Sequence, residues 1–421
     1  MQSKKTASGP YHAHAVRSKD EARQFLDVVG RIYAGDSTYV RPLDMDVRAV
    51  FDPKKNSFYS HGRLERWILR DAHQQVVGRI AAFVNDRKAH TYEQPTGGCG
   101  FFECIDNEEA ATVLFDTARA WLREQGMEAM DGPINFGEND RFWGLLVEGY
   151  THPSYQMPYN PPYYQRLFER YGFELYFGQT ARHMDIRGRL GERFYKVFER
   201  VKERNHITFE TLKRKNVGKY AADFLTIYND AWAYHEGFTP MTRQQVDQMV
   251  QQLKMVLVEE LAIFAYVQGE AAAMVIALPD LNQIFKPWKG KISLLKGLRF
   301  MLRKQGQFAW YRQHKVLTRA RVVIIGVRPK FQKMGLETGL TLTTMDEVRA
   351  MGIEEIELSW VGDFNPNMLT VMEATGASFG KRYHTYRYLF DRTKHVTPYH
   401  EISMDKRTGD SADGGSHAQT P

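Results

Sequence analysis

The strongest constraint in this chain is an order of elements that occurs twice. Arg123-x-x-Gly126-Met127-Glu128-x-Met130 is echoed by Arg349-x-x-Gly352-Ile353-Glu354-x-Ile356 at a constant offset of 226 residues. Each echo falls at the same junction, where an amphipathic helix ends on a glycine and a strand begins. The first pass opens with strand His12–Val16 and a helix carrying the capping box Ser18/Glu21. A hairpin (Arg66–Asp71, Val76–Asn85), strand Gly100–Asp106, helix Asn107–Gln125 and strand Met127–Ile134 follow. A long irregular loop, helix Pro161–Tyr171 and a closing strand to about Ile186 complete it. The second pass runs through strand Ile207–Leu212, helices at Ala221–Tyr234 and Arg243–Leu257, and hairpin Ala262–Val267/Ala271–Leu278. Strand Arg321–Val327, helix Leu336–Ala350, strand Glu355–Val361, helix Pro366–Thr375 and strand Ser378–Phe390 close it. This predicts an α/β (α+β) class built as two tandem mixed-sheet domains with flanking helices.

The expected division is a tail at 1–11, a first domain at 12–190, a second at 191–392 with a basic insertion at 281–321, and a polar tail at 393–421. The boundary falls near residue 190, at the helical stretch Glu192–Glu203.

Charge is unevenly spread. The chain totals +7, yet residues 281–336 hold 14 Lys/Arg and no Asp or Glu, so the remainder carries −7. One basic zone without a recognition motif argues against a nucleic-acid partner. A composition of 43% hydrophobic and 13% aromatic residues can bury real cores. No apolar run approaches the roughly 18–20 residues that cross a bilayer, and MQSKKTASGP lacks a signal-like apolar region. Cys99 and Cys104 stand outside any CxxC or zinc-ligand spacing, so no metal is expected and a reducing cytoplasm is the expected compartment.

The chemistry concentrates after the strand Val322–Ile325. There Val327-Arg-Pro-Lys-Phe-Gln332-Lys333-Met-Gly335-Leu-Glu-Thr-Gly339 turns into a helix. Free N–H groups and a positive helix end at such a turn suit a phosphate, though a structural loop explains the same residues. Arg328, Lys330 and Lys333 surround it. With Gly352, strand Glu355–Trp360 and Asn365…Gly376, this unit resembles the GNAT acyl-CoA N-acyltransferase superfamily. That family's coenzyme loop is Q/R-x-x-G-x-G/A; Gln332-x-x-Gly335 matches it, and Glu337 replaces the final small residue. Its N-x-x-A-x-x-L-Y-E-x-x-G-F hallmark falls on Asn365, Met368, Val371, Met372, Glu373, Gly376 and Ala377, with Met372 where the usual tyrosine acid stands. Leu167-Phe168-Glu169-Arg170-Tyr171-Gly172-Phe173 repeats that ending in the first half. There the coenzyme loop is missing, because Phe102–Glu109 enters its helix with acids and no glycine.

The resemblance implies a GNAT fold across about residues 12–390, acyl-CoA as co-substrate and a primary amine as acceptor. It assigns the coenzyme to Gly326, Val327, Gln332, Lys333, Gly335 and Asn365, with a backbone N–H at Gly326 or Val327 facing the reacting carbonyl. The polar and aromatic run through Glu103, Asn135, Asn139, Tyr159 and Asn160 resembles a bacterial group of tandem GNAT proteins near the sphingoid-base N-acyltransferases, the bacterial ceramide synthases. These residues, with His235, are the candidate substrate contacts; helix-start chemistry and a loop surface are their plainer readings.

An amine with a pKa of ~10.4 needs a proton acceptor at neutral pH, since freeing its lone pair costs about 4–5 kcal/mol. Glu357 on its strand is the first candidate and Asp363 the second; a solvated carboxylate and a cap are the alternatives. Tyr383 and Tyr386 are candidate acids, or packed rings. The departures at Glu337, Met372 and Phe168 also fit a non-catalytic ligand-binding or regulatory protein. In the insertion, Lys291–Lys304 sets Ile292, Leu295, Leu298 and Leu302 on one helical face with Lys296, Arg299 and Arg303 opposite. Such a helix either lies peripherally on an anionic membrane, here its inner face, or packs on the core as a lid.

Overall fold

The computed structural model describes residues 9–188, 192–233, 240–253, 256–374 and 376–399. Its first half contains β1 (His12–Ala15), α1 (Lys19–Asp27), α2 (Val29–Ile32), α3 (Asp44–Val50), β2 (Gly62–Arg70), β3 (Val76–Asn85) and β4 (Thr96–Cys104). It continues with α4 (Glu108–Glu124), β5 (Ala129–Gly132), β6 (Leu145–Glu148), α5 (Tyr163–Tyr171) and β7 (Glu174–Asp185). The second half contains α6 (Glu192–Arg204), β8 (Ile207–Thr211), α7 (Val217–Trp232), α8 (Arg243–Leu253), β9 (Ala262–Val267) and β10 (Glu270–Pro279). Then come α9 (Asn282–Phe285), α10 (Leu294–Arg303), α11 (Gln305–Gln313), β11 (Arg319–Val327), α12 (Leu336–Ala350), β12 (Glu355–Gly362), α13 (Pro366–Ala374) and β13 (Ser378–Leu389). The mixed α/β class read from the sequence is the observed one. The short strand β6 and helix α3 lie where the pattern gave only loop.

Local chemistry explains the duplicated junction. Asn107 caps α4 by accepting from the Ala110 N–H, and Ala111, Leu114, Phe115, Ala118 and Leu122 bury one face. Gly126 and Gly352 end their helices at φ +82° and +77°, a left-handed conformation that costs other residues energy. The repeated glycine is therefore a backbone requirement.

The strands form one sheet in the order β1-β2-β3-β4-β5-β13-β7-β12-β11-β10-β9-β8, with β6 pairing β13 off this path. The closing strands are exchanged. β13, last in the chain, pairs with β5 and β6 of the first half, and β7 pairs with β12 of the second. β7 and β13 then pair antiparallel with each other at the middle of the sheet. Helix α4 packs on the first half through Leu114, Phe115 and Leu122; α12 packs on the second through Leu340, Met345 and Val348.

Each half contains one parallel pair that parts. β4 and β5 pair from Thr96/Ala129 to Gly98/Asp131, and β11 and β12 from Arg319/Glu355 to Val322/Leu358. Beyond these points β4 keeps only β3, and β11 only β10, as a strand partner among the described residues. A register shift lies just past each parting, where β4 and β11 each carry an extra residue. The halves then differ. In the first, the Ile134 N–H donates to the Cys99 carbonyl at 2.8 Å. A Cβ on Gly100 would lie 1.8 Å from the Ile134 oxygen, so the chain itself fills the gap.

Candidate active site in the second half

The floor of the site is a row of buried polar side chains across four strands. Arg321 on β11 is in register with Glu357 on β12, and Glu357 with His183 on β7. Gln179, further along β7, is in register with Tyr383 on β13. Lys381 Nζ donates to Glu357 Oε2, and neither side chain has any solvent-accessible surface. His183 shares Nδ1 with Glu355 Oε1 at 2.6 Å and holds Nε2 3.9 Å from Glu357 Oε2. Glu357 Oε1, Arg321 Nη1, His183 Nε2, Gln179 Oε1 and the Tyr383 hydroxyl are buried without a hydrogen-bond partner in the protein. Orphaned polar atoms are normally scattered and few, so their convergence here marks the region.

Burial drives the Glu357 carboxyl upward, but Lys381, His183 and Arg321 outweigh it and hold the acid below its ordinary range. Burial and the Glu357 charge push the Tyr383 hydroxyl well above the usual phenol value. Tyr383 therefore keeps its proton and can donate a hydrogen bond. An ion-paired, fully buried Glu357 is a poor proton acceptor; its chemistry is to fix Lys381 in place.

A carboxylate that the sequence reading did not single out lies nearer to solvent. Asp140, on the loop between β5 and β6, has 51% of its side-chain surface accessible and Arg141 Nε 3.7 Å away. It is nonetheless surrounded deeply enough for desolvation to raise its carboxyl, against the pull of Arg141 and Arg321. Burial raises the hydroxyl of Tyr228 on α7, and the charges of Glu138 and Asp140 add to it. Along α7, Phe224 stacks on Tyr228 at 5.7 Å and Tyr228 on Trp232 at 4.9 Å. Trp232 lies against Gly326 of β11, where a Cβ would come within 2.5 Å of its ring.

β11 leads through Arg328 into a turn in which Lys333 and Gly335 both take left-handed backbone angles, φ +63° and +73°. Gly335 is the N-cap of α12 and supplies no side-chain cap, so first-turn N–H groups of α12 are left for another acceptor. Gln332 and Lys333 are exposed beside it. Two of the three cations expected around the turn are otherwise engaged. Arg328 pairs with Asp230 and Glu270 at 2.7 Å each, and Lys330 with Glu270, leaving Lys333 as the cation presented by the turn itself. Glu337 occupies the first turn of α12, half-buried.

No family model matches the chain. A protein of Caulobacter vibrioides named bacterial ceramide synthase is 29% identical over 380 residues, covering 88% of this chain and 95% of the relative. Protein YghO of Escherichia coli is 25% identical over 376 residues, covering 88% and 93%. A solved tandem GNAT protein from the clavulanic acid biosynthesis pathway superposes with a TM-score of 0.52 at 12% identity, over 90% of this chain and 98% of that one. This chain has the tandem GNAT fold.

Within this GNAT fold the other predicted residues fall in several places. Val327 is buried at the end of β11, beside Gly326. Asp363 sits at the end of β12, accepting from the Gly178 N–H at 2.9 Å. Asn365 caps α13 by accepting from the Met368 N–H, which occupies its side chain locally. Tyr386 lies away from Glu357, in the first half's core against Phe168, with its hydroxyl donating to Glu169 at 3.1 Å. Glu103 is buried in a separate first-half network with Arg79 at 3.2 Å and the Tyr164 hydroxyl at 2.8 Å. Asn160 spends both ends of its amide on Leu146 and Pro161, and the Tyr159 hydroxyl donates to Asp36. Asn135 is buried and Asn139 exposed on the loop that carries Asp140. His235 lies outside the described residues.

Proposed function

We propose that this chain transfers an acyl group from acyl-CoA to a primary amine, and that the amine belongs to a lipid of the sphingoid-base class. The observation that carries the reading is the parting of β11 from β12 between the uncapped Gly335 turn and the Arg321–Glu357 row. An open strand edge suits an extended, amide-bearing arm, because its backbone groups lack partners. Gly335, Lys333 and the first N–H groups of α12 would hold the pyrophosphate. The stacked Phe224–Tyr228–Trp232 wall beside Gly326 favours an apolar acyl chain. Similarity to a protein named bacterial ceramide synthase supports a lipid amine as the acceptor.

In this account the incoming ammonium gives its proton to Asp140, whose raised pKa and accessibility suit the task better than buried Glu357. The freed nitrogen forms a bond to the thioester carbonyl carbon as the carbon–sulfur bond breaks. Backbone N–H groups at Gly326 or Val327 face the carbonyl oxygen as it gains charge. The departing thiolate accepts a hydrogen bond from Tyr383 and takes up the second proton, released by the nitrogen as it becomes an amide; Asp140 returns the first proton to water. Since the first half's gap is filled at Gly100, one transfer site per chain is expected. Thiol release from acyl-CoAs of graded length, with and without sphingoid bases and short amines, tests the reading. Release that requires a long-chain amine supports it; release with short amines alone removes the lipid acceptor.

A further inference from the structure

Between β10 and β11 the chain leaves the sheet and builds α9, α10 and α11. Of these, α10 is amphipathic in an inverted sense. Its one buried residue is Phe300, which packs on Phe285 at 5.3 Å and Trp288 at 5.9 Å. On the opposite side Leu294, Leu295, Leu298 and Leu302 are 92, 67, 57 and 59% exposed, with Met301 beside them. At 100° per residue these side chains span about 120° of arc, centred almost opposite Phe300. The lid alternative from the sequence fails on this point, because the apolar face is turned to solvent.

We propose that this face of α10 docks the protein onto an anionic lipid surface. Charge complementarity selects the occupant. Arg299 flanks the apolar arc, with Arg303 and Lys296 further round the helix, and residues 281–336 contain no acid to neutralise them. Ser293 caps the helix by accepting from the Lys296 N–H, and the Arg303 guanidinium lies 3.7 Å from the Trp310 ring centre, so helix and flank are already ordered. A pre-folded helix with leucines outward and a basic face beside them matches the acyl–headgroup boundary of a bilayer. The neighbouring contact is equally built. The Asp44 N–H donates to the Gly290 carbonyl at 2.8 Å and Lys291 pairs with Asp27, which ties the insertion to the first half. The insertion rejoins the sheet at Arg319, the end of β11 opposite the Gly335 turn. A membrane-borne acceptor would then approach from the end away from the coenzyme turn.

The surface stands independently of the transfer reaction and is tested without acyl-CoA. The full chain is sedimented with vesicles of phosphatidylcholine alone and of phosphatidylcholine mixed with phosphatidylglycerol, at low and high salt. Binding to the mixed vesicles, weakened by salt, is expected, with a loss of about fivefold for each cation among Lys296, Arg299 and Arg303 neutralised to Gln. The combined Leu294→Ser, Leu298→Ser and Leu302→Ser variant should lose at least about tenfold in partitioning. Its thermal unfolding should stay unchanged, because these side chains are not in the core. Three outcomes overturn the proposal: no binding by the wild-type chain, equal binding to both vesicle types, or undiminished binding by the triple-serine variant. A wild-type dimer that the same variant converts to monomer also overturns it, since a second copy would then cover the face.

Discussion

Lys381 and Glu357 form an ion pair wholly shut off from solvent, between two strands that are not neighbours in the sheet. β7 runs between them, so the pair ties the end of the chain across the last strand of the first half. The position 226 residues before Glu357 is Asp131, also buried. Asp131 is gripped by Arg387 of the same β13 strand at 2.6 and 2.8 Å. Each half thus has a buried acid on the strand that parts, and each acid finds its cation on β13. The exchanged strand is what makes two halves one sheet.

Removing the cation should expose how strongly this tie is needed. Lys381→Met leaves Glu357 charged and buried, and is expected to cost about 3–5 kcal/mol in urea unfolding. Adding Glu357→Leu should recover most of that loss. Because Glu357 is held below its ordinary pKa, its contribution is present above the normal carboxylate range and fades as pH falls through the lowered value. The wild-type advantage over the double variant should shrink toward acid pH.

Asp280 behaves in the opposite sense. It is buried beside Arg319 at 3.3 Å and accepts from the Tyr155 and Asn282 N–H groups, and burial raises its carboxyl to about 6. A folded-state pKa above the unfolded value stabilises below about pH 4 and loses that contribution as pH rises through about 6. Asp280→Asn keeps both backbone hydrogen bonds. Its stability relative to wild type should improve by about 2–3 kcal/mol between pH 4 and pH 7, measured by denaturant midpoints. A difference that does not vary with pH would contradict this.

At the coenzyme turn, charge and backbone strain are separable. Gly335→Asn and Gly335→Asp both place a side chain at φ +73°, where these two residues are better tolerated than most. Only the aspartate adds an anion beside the expected pyrophosphate. Acyl-CoA affinity, read by calorimetry, should fall at least about tenfold further for Asp than for Asn, each charge contact there contributing on the order of 1–2 kcal/mol. Equal affinities would remove the pyrophosphate from this turn.

Asp140→Asn should lower kcat by about 10²–10⁴-fold while acyl-CoA binding holds. In the wild-type chain kcat/KM should rise with pH as Asp140 loses its proton, with a midpoint above the ordinary aspartate range. The variant should lose that limb. Glu357→Gln, by contrast, should act mainly through stability.

The sequence made the local elements legible because helix ends, apolar periods and the duplicated glycine junction are written within a few residues of each other. The coenzyme turn was legible for the same reason: Gln332, Gly335 and α12 are contiguous. Strand exchange was not, since nothing local to Ser378–Leu389 says that it will pair with Ala129–Gly132. Without that pairing Lys381 and His183 had no reason to join Glu357, and Tyr386 looked equivalent to Tyr383. Tyr383 and Tyr386, three residues apart on β13, face opposite sides of the sheet and join different cores. Asp140 was hidden among polar loop residues, and only its raised carboxyl, felt against the pull of Arg141 and Arg321, distinguishes it. For α10 the period was clear, but which face met solvent depended on Phe300 finding Phe285 and Trp288.

The most direct measurement is mass spectrometry of a reaction containing the full chain, a long-chain acyl-CoA and a sphingoid base. An N-acylated sphingoid base should form in one-to-one ratio with free CoA and be lost in Gly335→Asp. Free CoA without amide, or neither product together with no detectable acyl-CoA binding, would contradict the proposed transfer.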